Sequence, residues 1–193
     1  KLANENQRFL WGILEQASKP APARSAIETQ IGDYFQACMD EPSREKIGAT
    51  PLRPQLDAIA GLKSVRDIAV FLAQAHATSF GNQFLFGFDS GQDFADSSRV
   101  IAFTSAGGLG LPDRDYYVKT DTKSIEIRQR YLEHVAKMLE LLGDPAQQAT
   151  ADAQVVMTME TALANASLTR VDRRDPHKLF HPVDLAHLQA LTP

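Results

Sequence analysis

Apolar positions recur at helical spacing along most of this chain and change to a two-residue repeat only once. Leu2, Phe9, Leu10, Ile13 and Leu14 fall on one helical face, and the stretch from Ser18 to Arg24, with Pro20 and Pro22, ends that helix in a linker. Ile27, Ile31, Tyr34, Phe35 and Cys38 repeat the pattern. Val65, Ile68, Ala69, Leu72 and His76 do so again after Ser64, a residue type that caps helix starts. Between these helices, "GATPLRPQLDAIAGL" holds two prolines and two glycines and predicts a loop with one short helix over 55–59.

The period then changes. Phe84, Phe86 and Phe88 alternate with Leu85, Gly87 and Asp89; past the polar stretch 90–98, Ile101 and Phe103 alternate in the same way. This predicts a β-hairpin with a long tip. A lone hairpin is marginal in water, so its aromatic face is expected to pack on helices while its outer edge stays available to an extended peptide.

Residues 107–121, "GGLGLPDRDYYVKTD", lead out of the hairpin. The glycines suggest a phosphate loop, but neither a Gly-Lys-Ser/Thr close nor a G-x-G-x-x-G spacing is present. They read instead as backbone devices. Glycine permits positive φ, Pro112 holds Leu111 extended, and Asp113 caps a short turn whose Tyr116 and Tyr117 anchor it through buried rings and paired hydroxyls. The clearest helix follows over 122–142, with Ile127, Tyr131, Val135, Met138, Leu139 and Leu142 on one side and Gly143 as its stop. Asp144-Pro145 then caps a helix running to about Leu168 that carries Val155, Val156, Met159 and Leu163, and a last short helix from Asp184 holds Leu185, Leu188 and Leu191. The fold class is mainly α: a multi-helix bundle with one β-hairpin.

Composition narrows the function classes. The 193 residues, 44% hydrophobic and 23% charged, suffice for one large or two small domains. A net charge of -4 gives no blanket attraction to nucleic acid or anionic membrane. No run reaches the roughly 18 apolar residues of a membrane span, and the first twenty positions lack a signal-peptide pattern. The lone Cys38 excludes an internal disulfide and a Cys-based zinc cluster.

Three groups carry candidate chemistry. His177 and His181 have the i, i+4 spacing of a zinc-binding helix, but Lys178 stands where the general-base glutamate of H-E-x-x-H belongs, and Pro176 and Pro182 leave room for one turn. They read as two partly exposed histidines, with no metal ligand and no catalytic residue assigned. Glu160 has no visible partner and reads as solvated or salt-bridged surface. Arg170, Arg173 and Arg174 surround Asp172 and Asp175: either ion pairs and caps joining two segments, or a substrate-facing cluster suited to carboxylates. Asn165-Ala-Ser167 matches a glycosylation pattern but lies on an expected helix, and reads as chance.

"GGLGLPDRDYY" before a long helix, then "ASLTRVDRRDPHKLF" before a proline-led helix, resemble the N-terminal region of the M13 peptidases, the neprilysin and endothelin-converting-enzyme family. "IGDYFQACMDE", "PLRPQLDAIAGLKS" and "LFGFDSGQDFADSSRVIAF" resemble that region in the same order. The resemblance implies two largely helical lobes around a cavity in a zinc endopeptidase that cuts peptides and small proteins. It makes residues 1–193 part of the N-terminal domain, truncated at both ends, with zinc in the full-length parent and none bound by this chain. The family's zinc motif, H-E-x-x-H followed downstream by E-x-x-x-D, is not in these residues, and His177 stands where the family commonly has tyrosine. The implied role is scaffold and cavity wall or lid, partnered by the C-terminal catalytic region and by peptide substrates. The implied location is extracytoplasmic, periplasmic or secreted in a bacterium. The alternative is a stand-alone helical peptide-binding or interaction module without catalysis.

Overall fold

The first helical face is α1 (Leu2–Ser18) of the computed structural model, which describes residues 2–22, 24–78 and 84–192. Lys1, Ala23 and Pro193, read from the sequence as a helix start, part of a linker and the end of the chain, lie outside the described residues. The chain divides into two units, Lys1–Ala60 and Gly61–Pro193.

In the first unit α1 packs on α2 (Ala26–Met39). Helix α2 opens on a reciprocal cap: Ser25 Oγ accepts the Glu28 N–H at 3.2 Å, and the Glu28 carboxylate accepts the Ser25 N–H at 2.7 Å. The backbones approach closely at Gly32, where a Cβ would lie 2.1 Å from the Ala17 carbonyl oxygen. The last α1 carbonyls lack helical partners. Arg24 Nη1 donates to Ala17 O at 2.9 Å, and Gln36 Nε2 to Ser18 O at 2.7 Å. Trp11 and Phe35 meet edge to face at 5.1 Å. Sequence periodicity missed α3 (Glu41–Ile47), because "EPSREKI" has no apolar repeat; its start is set by the Asp40 carboxylate accepting the Ser43 N–H at 3.1 Å. The short helix expected over 55–59 is α4 (Arg53–Ala60), entered through a 3-10 turn at Thr50–Leu52.

The second unit begins with α5 (Val65–His76), capped by Ser64 as the sequence indicates. Strands β1 (Phe86–Gln92) and β2 (Val100–Ala106) pair antiparallel, from Phe86 opposite Ala106 to Gln92 opposite Val100. Two expectations for this hairpin are corrected. The tip is shorter, Asp93 to Arg99, because Asp93 turns the chain: its carboxylate accepts the Ala95 N–H at 2.8 Å and its N–H donates to Arg99 O at 3.0 Å. The register also places the two apolar sets on opposite faces. Ile101 and Phe103 share a face with Gly87, Asp89 and Gly91, and Phe94 folds over Phe103 at 5.3 Å while touching Phe180 at 5.4 Å. Phe86 and Phe88 lie on the other face with Val100 and Ala102. There Phe86 meets the His76 ring at 4.7 Å, but Phe88 is 51% and Val100 74% exposed.

After the hairpin come α6 (Asp115–Val118), α7 (Thr122–Leu142) and α8 (Ala146–Ala166). The Asp121 carboxylate caps α7 through the Ser124 N–H at 3.0 Å, and Gly143 ends it with a left-handed φ of 113°. Helix α8 departs from expectation at its start and on its buried face. Pro145, not Asp144, occupies the cap position, with no side-chain cap bond, and the helix ends at Ala166. Its buried residues are Ala149, Ala153 and Ala164, whereas Val155 and Met159 are more than half exposed. Small side chains let α7 and α8 pack closely, with α6 lying against both. A 3-10 turn (Asp172–Arg174), α9 (Pro176–Leu179) and α10 (Leu185–Leu191) complete the unit. The mainly α class with one hairpin is the observed architecture, with ten helices and one two-stranded sheet among the described residues.

Candidate functional site

The polar groups of the second unit converge where the Gly107–Asp113 turn meets α6, α7 and α8. Tyr117 on α6 is 5% exposed, and its hydroxyl accepts the Leu111 N–H at 2.8 Å while donating to Glu160 Oε2 at 2.6 Å. Tyr131 on α7 donates to the other carboxylate oxygen, Glu160 Oε1, at 2.9 Å. One carboxylate on α8 therefore ties together the turn, α6 and α7. Glu160 is half-buried and doubly hydrogen-bonded, which corrects its reading as solvated or salt-bridged surface.

Glycine is needed beside this knot. A Cβ at Gly110 would lie 1.9 Å from Tyr131 Oη. Of the glycines in this turn, Gly108 has positive φ, at 73°. Burial and the bond to Glu160 push the Tyr131 phenol up to about 12, and raise Tyr117 as well, because a phenolate there would lose solvent and face a carboxylate. Of the two tyrosines expected to anchor the turn, Tyr117 does so through a buried ring and a paired hydroxyl, whereas Tyr116 is half-buried with no hydroxyl hydrogen bond among the described residues, and the second phenol comes from Tyr131 on the next helix. Tyr116 contributes its backbone: Arg128 Nη1 donates to Tyr116 O at 2.7 Å and to Lys119 O at 2.8 Å.

Asp113, 7% exposed, forms the second centre. Its carboxylate accepts the Asp115 N–H at 2.9 Å and the Arg173 Nη2 donor at 3.0 Å, with Arg170 Nε at 3.6 Å. Arg114 Nε donates to Ala164 O near the end of α8 at 3.1 Å. Arg170 and Arg173 thus meet on an aspartate some sixty positions upstream, while Arg174 is exposed and forms no side-chain ion pair or hydrogen bond among the described residues. Asp172 instead takes Lys178 and the Thr169 hydroxyl, and Lys178 first, then Thr169, holds its carboxyl below the usual range.

The histidine pair is split: His177 lies in α9, His181 lies beyond it, and His181 Nε2 is 3.0 Å from Lys178 O. Among the described residues no three His, Cys, Asp or Glu side chains are grouped to hold a metal ion. What the arrangement does chemically is fix one carboxylate between two phenols and another beneath two guanidiniums, which positions backbone without presenting a nucleophile.

This arrangement belongs to a known fold. The family model of peptidase family M13 matches residues 1–193. The chain belongs to peptidase family M13. This M13 chain is 31% identical to Neprilysin-3 of Drosophila melanogaster over 201 residues, covering 100% of the chain and 25% of that protein. It is 29% identical to endothelin-converting enzyme 1 of Cavia porcellus, covering 100% of the chain and 26% of the enzyme. It superposes on the Mycobacterium tuberculosis zinc metalloprotease Zmp1 in complex with inhibitor with a TM-score of 0.77 and 26% identity, covering 97% of the chain and 28% of Zmp1. The M13 chain therefore spans about a quarter of the length of the curated relatives it matches.

Glu160 was within reach of sequence reasoning. It shares a helical face with Ala149, Ala153 and Ala164, and a carboxylate on a stripe of small residues faces a packed helix. No such signal pairs Asp113 with Arg173.

Proposed function

We propose that residues 1–193 are the helical scaffold and part of the cavity wall or lid of a zinc metalloendopeptidase that cleaves peptides and small proteins. The match of the M13 family across the whole chain carries this reading. That the chain spans about a quarter of the length of the matched relatives supports assigning zinc and peptide-bond chemistry to polypeptide outside this stretch. This chain contributes shape: the Tyr117–Glu160–Tyr131 knot fixes the exit from the hairpin onto the α7–α8 pair, and a rigid wall limits entry to flexible peptides.

Of the three arginines, Arg174 is the one we assign to face substrate, because Arg170 and Arg173 are engaged by Asp113. The protein works outside the cytoplasm, periplasmic or secreted in a bacterium. The bacterial source of Zmp1 and the single, exposed Cys38 support that placement. No helix among the described residues is long and apolar enough to cross a membrane.

The test measures zinc content and cleavage of a quenched-fluorescence peptide, with and without chelator, on the full-length protein and on residues 1–193. The expected result is one zinc and chelator-sensitive cleavage in the full-length protein, and neither in the shorter chain. Zinc-dependent cleavage by residues 1–193 overturns the division of labour. A folded full-length protein that cleaves no peptide favours the interaction-module alternative.

A further inference from the structure

The hairpin forms a two-stranded sheet among the described residues. The Asp93 N–H donates to Arg99 O, so these two residues form a hydrogen-bonded pair, and the alternation of an antiparallel ladder makes Gly91–Ile101, Asp89–Phe103 and Gly87–Ser105 the other inward-bonding pairs. The remaining residues turn their backbone groups outward: Phe86, Phe88, Ser90 and Gln92 on β1, and Val100, Ala102, Thr104 and Ala106 on β2.

The two edges differ. On β1 the Ser90 N–H is taken by the Asp89 carboxylate at 2.7 Å, and the Phe86 N–H by Phe84 O at 2.6 Å. On β2 none of the outward N–H and C=O groups has a partner among the described residues. That edge runs for seven residues in unbroken register and holds no proline, lysine or other charge, the devices by which proteins blunt a free edge. Beside it, on the face shared with Phe88, Val100 is 74% exposed. An open, uncharged edge beside a face that exposes Phe88 and Val100 among Ser90, Gln92 and Thr104 is a template for another strand.

We propose that a third strand, from the same polypeptide outside residues 1–193, pairs with the outer edge of β2 and covers the Phe88–Val100 face. This rests on the reading that the chain is part of a longer M13 protein, and about three quarters of the length of the matched relatives lies outside the matched stretch. The third strand carries apolar residues at alternate positions, since those positions meet Val100 and Ala102 on one face.

Hydrogen exchange on the full-length protein, resolved by residue, tests the pairing. The amides of Ala102 and Thr104 are expected to exchange within about tenfold of the inward-bonded Ile101 and Phe103, at every protein concentration and without added peptide. A photo-crosslinking residue at Val100 is expected to capture a segment outside residues 1–193. Fast exchange at Ala102 and Thr104 beside slow Ile101 and Phe103 overturns the proposal. So does protection that needs a cleavable peptide, which makes substrate the occupant, or protection that rises with protein concentration, which makes it a second copy. A crosslink within residues 1–193 overturns it too. Peptide cleavage on the same sample separates the two ideas: active protein with an open edge refutes the third strand alone, and inactive protein with a protected edge refutes the peptidase reading alone.

Discussion

Gly110→Ala is the most incisive perturbation of the knot. The new methyl would sit 1.9 Å from Tyr131 Oη, 2.7 Å from its Cζ and 3.2 Å from Glu160 Oε1. Ordinary contact begins near 3.4 Å, so the phenol must retreat by about 1.5 Å, the difference between 3.4 and 1.9. Such a retreat carries the 2.9 Å bond to Glu160 out of hydrogen-bonding range. A hydrogen bond to a charged group contributes about 1.5–3 kcal/mol. Overpacking a filled site adds about 1–3 kcal/mol. The sum is about 2.5–6 kcal/mol, or a Tm lowered by about 5–24 °C at the 2–4 °C per kcal/mol typical of this size. The assay is thermal unfolding of Gly110→Ala, Tyr131→Phe and the double variant. Because the Tyr131–Glu160 bond can be lost only once, the double variant should fall short of additivity by the worth of that bond, roughly 1.5–3 kcal/mol. Additive effects, or an unchanged Tm for Gly110→Ala, would refute the contact and the reason given for glycine there.

Two further outcomes follow from the same geometry. A phenol near pH 10 in the unfolded chain and raised in the fold keeps its full stabilising contribution below about pH 10. That contribution fades as pH climbs towards the Tyr131 value of about 12, because the unfolded chain releases its protons first. Tyrosinate absorbance of the folded protein should therefore show a late step that Tyr117→Phe with Tyr131→Phe removes; a titration unaltered in shape contradicts the burial of these hydroxyls. At the second centre, Arg173→Ala leaves the Asp113 carboxylate, 7% exposed, with the Asp115 N–H and only the longer Arg170 contact for a counter-charge, and should cost about 1–3 kcal/mol in chemical denaturation. Asp113→Asn in that background should recover part of the loss, and a full-strength fold in Arg173→Ala alone would show that the pair contributes nothing.

The candidate site was legible by halves. "GGLGLPDRDYY" announces a turn held by a tyrosine, because Gly, Pro and Asp act on the backbone next to them and Asp113, one position before the cap residue Arg114, accepts the first N–H of α6. Glu160 looked like surface because its partners lie 43 and 29 positions away, on elements whose packing the sequence does not state. The arginines looked like partners of Asp172 and Asp175, their neighbours in sequence. The fold sends Arg170 and Arg173 to Asp113 instead, and Lys178 takes Asp172.

Helix α7 and the cap of α5 were set by the sequence itself, since 3.6-residue periodicity, Asp121, Ser64 and Gly143 act over four residues or fewer. Motifs in order along the chain also determined the family. Tertiary structure decided which face of α8 is buried, because the close approach of α7 favours alanines over the larger Val155 and Met159. It decided the strand register as well. Alternation marks each strand, but only the turn closed by Asp93 and Arg99 determines which residues stand opposite one another, and here it puts the two apolar sets on opposite faces.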